Sequence, residues 1–222
     1  MRKSRTLVAV ATAALLTLCL PHTASAANSA PAIEAFNAAF GKVTSFTYKL
    51  HSHEVQGSDV QDRVYDYSFM KPHFAKTLIE SGDGRGSGGV WAGGDQVSGH
   101  QGGFLSGIHL KVDLHDHRAV SLRGYTIPQG LPQMIVATYA DTKGTLKQMP
   151  GGKIDGAETA LLDLKVADPA SNGGVSEQRL WLSNATHFPL REIFYADGKV
   201  VLDQSFTDYN LNANLSQNDF PF

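Results

Sequence analysis

Cysteine is almost absent from this sequence of 222 residues, and neither sign of charge is in strong excess. The only cysteine, Cys19, lies in an apolar run near the start of the chain. Without that run, the chain can form no disulfide, no zinc site built from thiolates and no cysteine nucleophile. Lysine and arginine number 19 against 21 aspartates and glutamates, and no basic cluster follows the first residues. Binding to nucleic acid is therefore not predicted.

Residues 1–26 have the pattern of a secretory signal peptide. The first residues are positively charged, residues 7–20 are apolar, and small side chains lead up to Ala26. The apolar run is shorter than the roughly 20 residues that a transmembrane helix needs. We therefore predict cleavage after Ala26, a periplasmic location, and a single mature domain over residues 27–222. Lipidation at Cys19 is the alternative way of processing this segment.

Hydrophobic periodicity predicts a chain made mainly of strands, with two helices. Apolar residues recur at helical spacing over residues 29–41 and again over 131–141. Strands are predicted over 46–51, 64–70, 74–80, 89–92, 108–113, 119–122, 159–166, 176–182, 190–195 and 200–209. Asp197 and Gly198 predict a tight turn between the last two strands. The predicted fold class is mainly β, of the α+β type, with one antiparallel sheet.

A glycine-rich stretch over residues 82–103 holds ten of the 22 glycines. From Gly84 to Gly89 it fits the pattern G-x-G-x-x-G. A dinucleotide-binding loop of this pattern needs a helix directly after it, because the phosphate lies on the amides at a helix N-terminus. Residues 90–95, VWAGGD, cannot form the first turns of a stable helix. The stretch therefore predicts turns around a short strand, with glycine supplying positive φ angles.

No residue has the sequence context of a catalytic nucleophile or general base. The G-x-S-x-G pattern of a serine hydrolase does not occur. Asp113, His115 and His117 are spaced at i, i+2 and i+4, so on a strand they would share one face, as metal ligands could. The alternative is a polar turn between strands. We predict no enzyme and no cofactor, and a metal-dependent hydrolase built on these three residues stays open as a further alternative.

One face of the predicted sheet is rich in aromatic and apolar side chains. The simpler interpretation of these residues is an ordinary core beneath two helices. The sequence contains too little helix to cover the whole face of so wide a sheet, so the surplus predicts a cavity for a hydrophobic ligand. The predicted cavity residues are Phe36, Phe40, Phe46, Tyr48, Leu50, Tyr65, Tyr67, Phe69, Trp91, Met134, Ile135, Ile193, Tyr195 and Phe206.

Several short motifs resemble those of the LolA-type periplasmic lipoprotein carriers. They are F-x-x-V-x-S-F over 40–46, Y-x-F-M-K-P-x-F over 67–74, V-W-x-x-x-D over 90–95, L-W-L over 180–182, F-P-L-R-E over 188–192 and F-x-D-Y-x-x-N over 206–212. The resemblance implies an open antiparallel half-barrel of about ten strands, with a lid of two or three short helices on its concave face. It also implies a monomer that carries a lipid, or the acyl chains of an acylated protein, between membrane-bound donor and acceptor proteins in outer-membrane lipoprotein sorting.

The same resemblance implies a role for Lys71. In the carriers, the residue before the strand-ending proline is an arginine that hydrogen-bonds to the lid and holds it shut. Lys71 stands at that position and is the candidate lid latch, although lysine cannot make the same planar contact with several donors. Relatives with this half-barrel can instead bind envelope signals and a membrane regulator. An envelope sensor or interaction module is therefore the alternative function.

Overall fold

The computed structural model describes residues 29–221, so the predicted signal peptide, Cys19 and the cleavage site at Ala26 lie outside the described residues. Among the described residues, neither α-helix has the length and apolar character of a membrane span. The helices are α1 (Pro31–Lys42) and α2 (Pro132–Asp141). The strands are β1 (Ser45–Gln56), β2 (Asp59–Met70), β3 (Phe74–Gly82), β4 (Gly88–Trp91), β5 (Gln96–His100), β6 (His109–Asp113), β7 (Gly144–Ile154), β8 (Ala157–Val166), β9 (Glu177–Ser183), β10 (Pro189–Ala196) and β11 (Lys199–Asn210).

The described strands form one open antiparallel sheet. Their order is β6-β5-β4-β3-β2-β1-β11-β10-β9-β8-β7, so β1 pairs with β11 in the middle and β6 and β7 are the two edges. Each half of the sheet is a series of hairpins, in which chain neighbours are also neighbours in the sheet. The predicted mainly β fold class and the open half-barrel with a helical lid are confirmed.

The connection between the two edge strands crosses the face of the sheet that we call the concave face. It runs over residues 114–143 and contains a short 3-10 turn, Pro128–Gly130, followed by α2. Two hydroxyls on the sheet hold this turn: Tyr48 donates to the Gly130 carbonyl over 2.7 Å, and Tyr67 donates to the Ile127 carbonyl over 3.4 Å. The lid is therefore tied to β1 and β2 by buried hydrogen bonds.

The strand prediction is wrong at residues 119–122, which form turns. There the chain has left the edge strand β6, and the Ser121 hydroxyl and the Arg123 amide donate to the Glu54 carboxylate instead of to a strand. Two strands, β5 and β7, have no counterpart among the predicted ones. Glycine dominates the sequence around β5, and β7 contains Pro150, which an edge strand tolerates because its outer N–H groups need no partner.

Aromatic side chains fill the space between α1 and the sheet. The rings of Phe36 and Phe188 have centroids 5.3 Å apart, and those of Phe46 and Phe69 have centroids 5.0 Å apart. Phe40 packs against the latter pair, with its centroid 6.2 Å from that of Phe69. Burial of such rings supplies most of the favourable free energy in a core of this kind, with a further contribution from their edge-to-face geometry.

Lys71 holds the C-terminal end of α1. Its ammonium group donates to the Phe40 carbonyl over 2.6 Å and to the Gly41 carbonyl over 3.3 Å. The same nitrogen lies 4.4 Å from the centroid of the Phe40 ring. A cation is favourable at this place because the last carbonyls of a helix have no partner within the helix and carry its negative dipole end.

We expect Gly130→Ala to destabilise the protein by about 1–3 kcal/mol, because overpacking a rigid site forces its neighbours to move. A Cβ at this position would collide with the Tyr67 hydroxyl and lie 2.7 Å from Tyr67 Cζ. Gly41→Ala is the matched control, since a Cβ there meets nothing within 4 Å. Urea unfolding of both variants measures the difference, and equal midpoints would contradict close packing of the turn on Tyr67.

We expect Lys71→Met to speed hydrogen exchange of the α1 amides by roughly tenfold, because the methionine keeps the apolar stem but loses a charged hydrogen bond. Lys71→Arg should retain most of the protection, since its guanidinium can still donate to the helix carbonyls. Exchange measured by mass spectrometry on α1 peptides checks both variants. Unchanged exchange in Lys71→Met would show that Lys71 does not hold α1.

Candidate functional site

A cavity of about 970 Å³ lies between the concave face, the connection over 114–143, and α2. It occupies the part of the concave face that the aromatic packing beneath α1 leaves uncovered. Apolar side chains from both halves of the sheet and from α2 line it, among them Leu50, Ile79, Val97, Ile135, Phe194 and Leu202. Its size is within the roughly 300–1,000 Å³ range of small-molecule sites.

Glycines form one wall of the cavity. Gly89 and Gly99 are directly paired across β4 and β5, and both line the cavity. A Cβ at Gly89 would lie 2.9 Å from Ile127 Cδ1 and 3.2 Å from Val97 Cγ2. The glycine-rich stretch therefore contains the turns and the short strand that the sequence predicts, and it also gives the sheet a flat surface against which the connection can lie.

The opposite wall of the cavity carries four buried polar side chains, which we call the polar end. They are Glu54 on β1, Gln178 on β9, Glu192 on β10 and Gln204 on β11. Each is less than a tenth exposed. Glu192 and Gln204 are register partners, so they lie side by side on the same face of the sheet.

Both carboxylate oxygens of Glu54 accept hydrogen bonds from groups of the protein itself. One carboxylate oxygen accepts hydrogen bonds from the Ser121 hydroxyl at 2.7 Å and from the Arg123 amide at 2.8 Å. The other accepts from the Ser52 hydroxyl at 3.4 Å. This carboxylate therefore fixes the start of the connection against β1, and it has a structural role at the cavity wall.

Burial favours the protonated form of Glu192, because a buried carboxylate loses its hydration. Burial raises the pKa of Glu192 to about 8, and a hydrogen bond with the Tyr139 hydroxyl opposes part of that rise. Burial likewise raises the pKa of Tyr139, so that its hydroxyl stays protonated. Tyr139 belongs to α2, so the lid helix contacts the polar end directly.

Basic side chains line the more exposed part of the cavity. Arg85, Arg118 and His117 are exposed, and Arg63 is half-buried. Arg118 is paired with Asp116 at 2.8 Å. Arg63 donates to the Asp83 carbonyl at 2.8 Å and to the Tyr65 hydroxyl at 3.1 Å. The guanidinium groups of Arg118 and Arg63 therefore have partners within the protein.

Four of the fourteen predicted cavity residues line this cavity: Leu50, Tyr65, Tyr67 and Ile135. Another six lie in the hydrophobic core under the helices or, in the case of the partly buried Phe40, pack against it. These six are Phe36, Phe40, Phe46, Tyr48, Phe69 and Phe206. For them the structure has the simpler arrangement that the sequence also allowed, a core beneath a helix.

The remaining four predicted residues lie elsewhere. Trp91 packs against the edge of the core and donates its ring N–H to the Gly94 carbonyl over 2.9 Å. Met134 is exposed on α2. Ile193 and Tyr195 alternate along β10 with Glu192 and Phe194, which line the cavity, so they face the other side of the sheet. Sequence periodicity places them on one side but does not say which side is concave.

The three metal-ligand candidates do not share a strand face. β6 ends at Asp113, and the following residues form turns in which a carboxylate oxygen of Asp113 accepts from the His115 amide over 2.8 Å. His117 is exposed and lies 3.4 Å from Asp116. Within residues 29–221, no group of three His, Cys, Asp or Glu side chains is arranged to hold a metal ion.

Sequence reasoning missed the polar end for a physical reason. The predicted first strand stops at residue 51, whereas β1 continues to Gln56. Its inward side chains, which begin with Phe46, continue through Ser52 to Glu54. The period-two alternation, continued three residues beyond His51, could have identified Glu54. The same alternation from Leu180 back to Gln178 could have identified Gln178.

The sequence matches no family model and no curated protein. Several solved structures do match. An uncharacterized conserved protein from Thermus thermophilus has 10% identity and a TM-score of 0.56, over 85% of this chain and 90% of that chain. The lipoprotein LppX from Mycobacterium tuberculosis has 15% identity and a TM-score of 0.50, over 83% of this chain and 96% of that chain.

A LolA superfamily protein from Nitrosomonas europaea also matches, with 12% identity and a TM-score of 0.37, over 87% of this chain and 99% of that chain. Identities this low show a shared fold and leave the ligand open. The two structures with TM-scores of 0.56 and 0.50 share the fold described above, an open antiparallel sheet with a helical lid.

Proposed function

We propose that this protein binds and carries a hydrophobic ligand, a lipid or the acyl chains of an acylated protein, without catalysis. The observation that supports this is the cavity of about 970 Å³ on the concave face, beside a lid that hydrogen bonds hold to the sheet. The proposed place of action is the periplasm, where a protein with the predicted signal peptide over residues 1–26 would be exported. Membrane-bound proteins would donate and accept the ligand.

Reversible burial is the proposed mechanism. Each methylene group that leaves water contributes about 0.8 kcal/mol, so one acyl chain in the cavity needs no charged partner to bind. Release then requires a state of the lid in which the cavity opens toward an acceptor with a better apolar site. Lys71, which holds α1, is the proposed latch of this lid.

The polar groups of the cavity favour binding over chemistry. Ser121 donates to Glu54, and among the described cavity residues no serine or threonine is hydrogen-bonded to a histidine. A serine without such a base is a poor nucleophile. We therefore propose that the protein binds its ligand without changing it chemically. The proposed ligands include lipoproteins destined for the outer membrane.

We expect the protein purified from its native envelope to carry an apolar molecule that native mass spectrometry detects and organic extraction identifies.

Ala119→Phe should weaken binding of an apolar fluorophore such as N-phenyl-1-naphthylamine by about tenfold, the equivalent of two methylene groups that no longer fit. Ala119 lines the cavity and is half-buried, so the added ring occupies ligand space.

The matched control is Ala196→Phe, because Ala196 is also half-buried but does not line the cavity. Its affinity for the fluorophore should equal that of the wild type. An empty native protein, together with equal fluorophore binding by both variants, would reject the carrier. That result would favour the alternative function, an envelope sensor that binds a protein partner.

Glu192 gives the fold a pH dependence with a definite sign. Because burial raises the pKa of Glu192 to about 8, the folded protein keeps a proton that the unfolded chain loses above its ordinary pKa. This contribution to stability is fully present below pH ~4.5 and is lost as the pH rises toward 8. Between pH 5 and 7 the free energy of unfolding should fall by about 2.5 kcal/mol through this group alone.

Glu192→Gln should remove that decline, because glutamine has a similar shape and does not ionise in this range. Urea unfolding of the wild type and the variant at pH 5, 6 and 7 measures the difference between the two slopes. Parallel slopes would mean that Glu192 is ionised in the folded protein, and that the cavity wall is charged at neutral pH.

A further inference from the structure

The polar end contains one acceptor for which the protein supplies no donor. The Gln178 side-chain oxygen is buried and has no hydrogen-bond partner among residues 29–221. Gln178 is 2% exposed and lines the cavity. Buried polar groups in folded proteins almost always have a partner, and an unpaired one is costly, so such an oxygen at a cavity wall indicates a missing donor.

The neighbours of Gln178 are already engaged in hydrogen bonds. Gln204 donates to the Ser52 hydroxyl over 3.2 Å, and Glu192 interacts with the Tyr139 side chain. Glu54 accepts from Ser121 and Arg123. These groups cannot turn toward Gln178 without losing bonds of their own. A ligand in the cavity can supply the missing donor.

We propose that the polar end recognises the head group of the ligand, and that this head group is an uncharged or cationic hydrogen-bond donor, a hydroxyl or an amine. This inference rests on the proposed function, because it names the class of amphiphile that the cavity takes. The donor binds the Gln178 oxygen, the carboxyl of Glu192 lies on the next strand as a second acceptor, and the apolar tail runs along Leu50, Ile79 and Val97.

An anionic head group fits this end poorly. Glu54 contributes acceptor oxygens to the wall, and the nearby Arg123 guanidinium donates to the backbone carbonyls of Val55 and Gly173. An anion brought here would lose its hydration and face acceptors. Another basic group at the cavity, Arg85, lies in the exposed turn after β3, away from Gln178 on β9.

Displacement of bound N-phenyl-1-naphthylamine by three probes of equal chain length tests the proposal at neutral pH. The probes are 1-dodecanol, dodecylamine and dodecanoate, each below its micellar concentration. We expect the alcohol and the amine to bind about tenfold more tightly than the carboxylate, the size of one satisfied buried hydrogen bond. In Gln178→Leu the preference should fall to about twofold or less, with the affinity for dodecanoate retained.

The control variant is Gln96→Leu, which changes an exposed glutamine on β5 outside the cavity and should keep the preference of the wild type. The wild-type comparison alone is decisive if Gln178→Leu does not fold. Equal binding of the three probes, or tightest binding of dodecanoate, would overturn the polar-end inference and leave the carrier intact. Failure of all three to displace the fluorophore would overturn the carrier itself.

Discussion

One buried hydrogen bond fixes where the lid lies on the sheet. The Tyr48 hydroxyl donates to the Gly130 carbonyl over 2.7 Å, and because burial raises the pKa of Tyr48, the hydroxyl remains a donor at every physiological pH. The bond is possible only because residue 130 has no Cβ to collide with Tyr67. It positions the turn before α2, and α2 then packs Ile135 and Tyr139 into the core. The cavity is the space that this arrangement leaves beside the helix.

Side-chain size divides the concave face into a packed part and a hollow part. Where the sheet carries Phe46 and Phe69, rings from α1 meet rings from the strands and no space remains. Where the sheet carries Gly89 and Gly99, these two positions present backbone without a side chain to the cavity. The same antiparallel sheet therefore forms a packed core under one helix and a cavity wall beside the other, so only part of its width gives up close packing.

Local pattern predicts the fold of this chain better than it predicts the site. Period-two alternation and the Asp197-Gly198 turn depend on neighbours in sequence, so nine of the strands and both helices could be placed in advance. The site depends on which face of each strand is concave and on how far each strand extends, and these are set by pairings such as Leu50 with Phe206, far apart in the chain. The pattern assigns Ile193 to the cavity for that reason, whereas its neighbour Glu192 is the residue that lines it.

In the proposed carrier, the two ends of the cavity contribute differently to binding. Apolar contacts along Leu50, Ile79 and Val97 give affinity in proportion to chain length, and they do not distinguish one acyl chain from another. Discrimination comes from the buried acceptor at Gln178, because a ligand without a donor leaves it unpaired and a ligand with a donor does not. The carboxyl of Glu192 on the next strand interacts with Tyr139, which belongs to α2. The helix that covers the cavity therefore also sets the position of the group beside the ligand's polar end, so the state of the lid and the choice of ligand depend on the same contact.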